Sequence, residues 1–219
     1  MGGRGAKSGV KKSASYFSKV TVEGSPGSYA SQAQEVLRGV HDVLSDFGLE
    51  DSLAGVRYSD ETGKTGRGKN AVAGVNGFNQ LTISNSYLKE GDSPEAIKQI
   101  AAATFHGTGA HEAGHIVVNE ILRKNVMPDG SLLQQSTARK NGKLEKAVIK
   151  EATKRFGSNP TISKYGSTSF SEKVAEAVSD VYSNKGGANP YSKVIVQVLK
   201  DTQSGNFKPK INYDSGIKY

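Results

Sequence analysis

The sequence predicts an α+β domain, with a small mixed sheet packed on one central helix and on several C-terminal helices. Short β-type runs at 16–23, 53–58, 71–75 and 80–84 all fall early in the chain. Apolar residues recur with a 3.6-residue period over 31–47, 143–156 and 169–182, and helical spacing also follows a histidine-rich stretch near 110–124. At 219 residues the chain is long enough for one domain with a real core and too short for two large ones. Three regions are expected: a basic Gly/Ser-rich tail at 1–15 with too little apolar surface to order itself, a domain at 16–205, and a polar end at 206–219.

In chain order, Tyr16 to Glu23 is a first strand, turned by Gly24-Ser-Pro-Gly. Ser31 to Phe47 is a helix whose stripe is Ala33, Val36, Leu37, Val40, Val43, Leu44 and Phe47, with His41 on its surface. Leu53 to Tyr58 is a strand and Asp60 to Asn70 a loop; Ala71 to Val75 and Gln80 to Ser84 form a hairpin about Asn76-Gly77. Ser93 caps a helix that Pro94 opens, running to about Thr104, where His106-Gly-Thr-Gly109 interrupts it before the next helix. That next helix runs to about Lys124 and ends in the turn Met127-Pro-Asp-Gly130. Lys143 to Phe156, with Leu144, Ala147, Val148, Ala152 and Phe156 inward, Ser169 to Tyr182, and a last helix opened by Pro190 complete the chain.

The formal net charge is +8, of which Arg4, Lys7, Lys11, Lys12 and Lys19 contribute five in a stretch without acids. The second basic stretch, Arg139 to Arg155, spaces its lysines helically with Glu145 and Glu151 interspersed, which reads as a solvated helix face. No nucleic-acid module or aromatic interleaving accompanies these charges. No apolar run nears the roughly 18 residues of a membrane span, and no apolar segment follows the basic N-terminus, so a soluble, cytoplasmic protein is expected. With no cysteine, disulfides and thiolate chemistry are excluded, and any metal must be held by His, Asp or Glu.

The chemistry concentrates in His111-Glu-Ala-Gly-His115, which holds two of the four histidines. Positions i and i+4 share one helix face, so both imidazoles can reach one ion, with Glu112 beside it to take a proton from water. Ala113 and Gly114 leave room for another segment to approach closely. His106, out of phase with the pair, is not expected to ligate. A catalytic zinc usually has three protein ligands, and without cysteine the third must be a carboxylate. Glu172 and Glu176 lie one turn apart on the Ser169–Tyr182 helix, beside the stripe Phe170, Val174, Ala177, Val178 and Val181, with slim Ala175 between them. One glutamate can ligate while the other accepts a hydrogen bond from the far nitrogen of a ligand histidine, and this chemistry alone leaves the choice open. Ser169-x-x-Glu172 also fits a helix capping box.

His111-Glu-Ala-Gly-His115 with Ser163-Lys-Tyr165 and, seven residues on, Glu172-x-x-x-Glu176 resembles the gluzincin metallopeptidases related to the catalytic domain of anthrax lethal factor, over about 80 residues. The resemblance implies a zincin-like fold, a Zn2+ cofactor held by His111, His115 and Glu172, Glu176 orienting a ligand histidine, Glu112 as general base and Tyr165 assisting the oxyanion. It implies hydrolysis of peptide bonds, by an endopeptidase rather than an exopeptidase, with a protein or peptide substrate that pairs along the strand at Gln80 to Ser84. The Met-Gly-Gly-Arg-Gly opening resembles the start of many phage-encoded proteins, so phage structural proteins are expected partners and a virion-associated location is an alternative. The rival expectation is a non-catalytic, zinc-containing phage morphogenesis or interaction module on the same scaffold.

Overall fold

The stripe of Ala33, Val36, Leu37, Val40, Val43 and Leu44 becomes the buried face of α1, Ala30–Asp46. This computed structural model describes residues 16, 17, 19–59 and 72–211; the expected tail at 1–15, the whole of the expected loop at 60–70 and residues 212–219 of the expected polar end lie outside the described residues. The structure is about 62% helical with one small mixed sheet, an α+β arrangement. No helix among the described residues is long and apolar enough to cross a membrane.

The sheet comprises β1 (Thr21–Glu23), β2 (Gly55–Ser59), β3 (Ala73–Val75) and β4 (Gln80–Ser84), in the order β1-β2-β4-β3. β1, β2 and β4 run parallel, and β3 is antiparallel to β4. The expected hairpin is present: the Asn76 side chain accepts from the amides of Phe78 and Gln80, and Asn79 takes the left-handed conformation at φ 58°. The expected cleft-edge strand is corrected, because β4 is paired on both sides; among the described residues the edge beside it is β3.

Two short helices follow, α2 (Asn85–Glu90), capped by Ser84, and α3 (Pro94–Ile97), capped by Ser93 with Pro94 first. The helix expected to reach Thr104 stops after four residues because its next backbone groups bond elsewhere: the Gln99 carbonyl accepts from Tyr165, and the Ala101 amide donates to Glu176. The expected interruption at His106–Gly109 is also corrected. These residues lie inside α4, Phe105–Ile121, which Thr104 caps by accepting from the Gly107 amide, and which passes into a π-helical turn at Leu122–Val126.

The glycines that argued for a break instead permit close helix crossing. A Cβ on Gly39 of α1 would lie 2.0 Å from the His106 carbonyl oxygen, and one on Gly109 would lie 1.9 Å from that of Val36. α1 and α4 therefore meet antiparallel, backbone against backbone. The remaining helices are α5 (Leu132–Lys140), α6 (Lys143–Phe156), α7 (Phe170–Asn184) and α8 (Pro190–Gln203). Val56, Leu81 and Ile83 of the sheet share one core with Ile116, Ile121, Val148, Val178 and Ile195 of the helices, and Ile211 joins it. Phe156 and Phe170, expected inward, are partly exposed at 38% and 44%.

Candidate metal centre

α4 presents His111 and His115 one turn apart, with ring centroids 5.1 Å apart. α7 crosses antiparallel to α4 where both are slim: a Cβ on Gly114 would lie 3.1 Å from the Ala175 Cα, the close approach the small residues predicted. That crossing brings the Glu172 carboxylate to 3.1 Å from His111 Nε2 and 3.8 Å from His115 Nε2. One ligand atom each from His111, His115 and Glu172 lie within 4.8 Å of one another, and the group can hold a metal ion. This separation meets the roughly 5 Å that bonds near 2 Å to a shared ion allow. Side-chain exposure of the three is only 12, 10 and 13%.

Glu176 occupies the other side of His111. One carboxylate oxygen accepts from Nδ1 at 2.9 Å and the other from the Ala101 amide at 2.6 Å. The choice between Glu172 and Glu176 that the sequence leaves open is thus separated in space, one facing the Nε2 atoms and the other the Nδ1 of His111. Ser169 caps α7 by accepting from the Glu172 amide, so half of the capping box is present alongside this placement.

Two atoms of the motif test whether a metal fits. His115 Nε2 and Glu112 Oε2 are buried and have no hydrogen-bond partner. Buried polar atoms are nearly always paired, so an orphaned imidazole nitrogen 3.8 Å from a carboxylate fits a site that could hold a cation. In the metal-free protein, burial alone would lower the His111 pKa, but hydrogen bonds to Glu172 and Glu176 raise it to about 10. Burial raises Glu172 while the two histidines pull it further down, and the net effect holds its carboxyl well below the usual range. An ion entering this site therefore takes the place of the His111 proton.

Tyr165 lies in a 3-10 turn, Tyr165–Ser167, with its ring 5.9 Å from that of His111 and 40% exposed. Ser163 holds the turn by accepting from the Gly166 amide, and Gly166 sits close on the Glu176 side chain. His106 is not in the cluster: its ring nitrogens meet Ser183 and Asp42, in the lining of a separate cavity of about 560 Å³. His41 lies against Tyr16 at a tilt and against Phe17 edge-on.

Sequence reasoning missed two residues beside His115. Ser171 Oγ lies 3.3 Å from His115 Nδ1, and burial pushes the Glu145 carboxyl up while nearby His115 pulls it partly back down. Glu145, read as part of a solvated basic face, is buried at 3% exposure. Its phase could have revealed it, since Glu145, Ile149 and Ala152 fall on one helical face.

No family model, curated protein or solved structure matches the chain.

Proposed function

We propose that the protein is a zinc-dependent peptidase with a zincin-like site, the activity expected from its resemblance to the lethal-factor-related gluzincins. The observation that carries this reading is the convergence of His111, His115 and Glu172 around a common point with Glu112 in the same motif. Two imidazoles and a carboxylate, with no thiolate in the chain, suit a borderline cation such as zinc and leave a fourth position open. Bound there, zinc supplies a Lewis acid that polarises a carbonyl and lowers the pKa of water.

The chain's own residues account for the other parts of the reaction. Glu112 takes the proton of the attacking water and passes it to the leaving amine, which its buried, unpaired carboxylate oxygen suits. Tyr165, exposed beside His111, donates a hydrogen bond to the developing oxyanion. Glu176 fixes the His111 ring. An extended peptide adds along β3, in place of the β4 edge expected from sequence.

The test is metal analysis joined to one substitution. Purified protein is expected to bind one zinc, and Glu112→Gln to keep it while hydrolysis falls by about 10²- to 10⁴-fold. Peptidase activity surviving in that variant overturns the assignment of the base. Zinc-loaded protein inert towards a broad peptide library favours the non-catalytic scaffold.

A further inference from the structure

We propose that Ser183, His106 and Asp42 form a second catalytic site, a serine-nucleophile centre that cleaves carboxylic esters in the cavity of about 560 Å³ and works without a metal. It goes beyond the peptidase reading and does not depend on it.

Three helices contribute one residue each. Asp42 lies on α1, His106 in the first turn of α4 and Ser183 in the last turn of α7. Two docking contacts within a turn of these positions bring them together. Gly39, three residues before Asp42, packs against the His106 carbonyl, and the Ser179 hydroxyl, one turn before Ser183, donates to the Gly107 carbonyl at 2.9 Å. His106 Nε2 then lies 3.0 Å from Asp42 Oδ2, and Nδ1 lies 2.9 Å from Ser183 Oγ. All three residues line the cavity.

A carboxylate only accepts, so a neutral His106 carries its proton on Nε2 and donates it to Asp42. Nδ1 keeps a lone pair, which accepts from the Ser183 hydroxyl. Nucleophile, base and orienting carboxylate thus stand in the order that activates a serine, with the two ring nitrogens exchanged relative to the usual triad; either nitrogen can serve as the base. Ser183 Oγ attacks the ester carbonyl carbon while Nδ1 takes its proton, and Asp42 stabilises the imidazolium. The bond to the alcohol oxygen then breaks, and Nδ1 returns the proton to that oxygen. Water, deprotonated by the same nitrogen, attacks the acyl-serine, which releases the acid and restores Ser183.

The first amides of a helix have no acceptor within it, and Phe105 and His106, which open α4, line the cavity, where those amides supply donors to the oxyanion. Phe105 and Tyr87, packed edge to face at 5.2 Å, give the cavity an apolar wall for the acyl chain. A volume of about 560 Å³ suits a small ester.

A simpler role for the three residues is to tie three helices together. A tie needs neither a cavity nor a reactive hydroxyl in its wall, and it makes no demand on the charge of Asp42.

The experiment treats the full chain, with a chelator present to silence metal-dependent activity, with an alkyl fluorophosphonate. A serine nucleophile attacks this probe at phosphorus and expels fluoride. Wild type is expected to take up one probe per chain, located on Ser183 by peptide mass spectrometry, and Ser183→Ala to take up none. His106→Gln should slow labelling by about 10²- to 10⁴-fold, and Asp42→Asn should slow it as well. The site of the adduct is read on wild type, so the result stands even where a variant fails to fold. Wild type without an adduct, an adduct on another residue, or His106→Gln labelled as fast as wild type overturns the proposal and leaves the three residues as a tie between helices. None of these results bears on the metal centre, which the zinc analysis tests separately.

Discussion

Glu176→Gln is the substitution whose effect can be worked out most fully, because it keeps the volume of a buried side chain and changes only what it can accept. Both partners of Glu176 are donors, the His111 Nδ1–H at 2.9 Å and the Ala101 amide at 2.6 Å. A glutamine offers one acceptor oxygen and one NH2, so whichever way it faces, one donor meets another donor. Leaving a buried donor unsatisfied costs about 1–3 kcal/mol, and losing the charge beside a protonated His111 adds to it, so about 2–4 kcal/mol is expected. For a domain of this size each kcal/mol moves the melting temperature by roughly 2–4 °C, giving a fall of roughly 4–16 °C. The assay is thermal unfolding of wild type and variant near neutral pH in the presence of a chelator, which removes any contribution from metal. A variant melting with wild type would refute the hydrogen-bond accounting, and with it the claim that Glu176 ties the Ala101 amide to His111.

Further predictions concern the crossing of α1 and α4 and the protonation of the site. Gly109→Ala would set a Cβ 1.9 Å from the Val36 carbonyl oxygen, so urea unfolding should show a loss of about 1–3 kcal/mol or more; an unchanged midpoint would mean that the helices separate at no cost. The metal-free His111 pKa is raised to about 10, above its ordinary value near 6.5, so the pair's contribution is fully present below about pH 6.5 and is lost as pH rises through about 10. Metal-free protein should accordingly lose thermal stability on the alkaline side, and His111→Asn should flatten that limb. By the same reasoning zinc uptake at pH 7 should release close to one proton from His111, measured by calorimetry in buffers of different ionisation enthalpy; uptake with no release would contradict an imidazolium there.

Where local rules and tertiary packing agreed, the sequence was readable. The α1 stripe, the Ser93-Pro94 start, the Asn76 turn and the α7 face carrying Glu172 and Glu176 all follow from spacing and capping chemistry. The failures have tertiary causes. Gly107 and Gly109 looked like helix breakers because their close contacts, with Ala102 and Val36, come from other parts of the chain. Ala101 looked helical because nothing local shows that its amide serves Glu176. α5 has a capping box at Ser131 and Gln134 but no buried stripe to announce it, its Leu132 and Leu133 being exposed. Glu145 was hidden by its charge, which outweighed its phase.

The contact between Gly39 and Gly109 also has a mechanical meaning. Helices separated by side chains can shear past one another by an ångström or two as those side chains change rotamer. α1 and α4 have no such layer at their crossing, since each glycine lies against a carbonyl of the other helix. Rolling α4 about its own axis would drive backbone into backbone. The direction in which His111 and His115 point is thus set by a bearing a turn or less from His111, and the helix that carries both imidazoles has lost the freedom to turn them away.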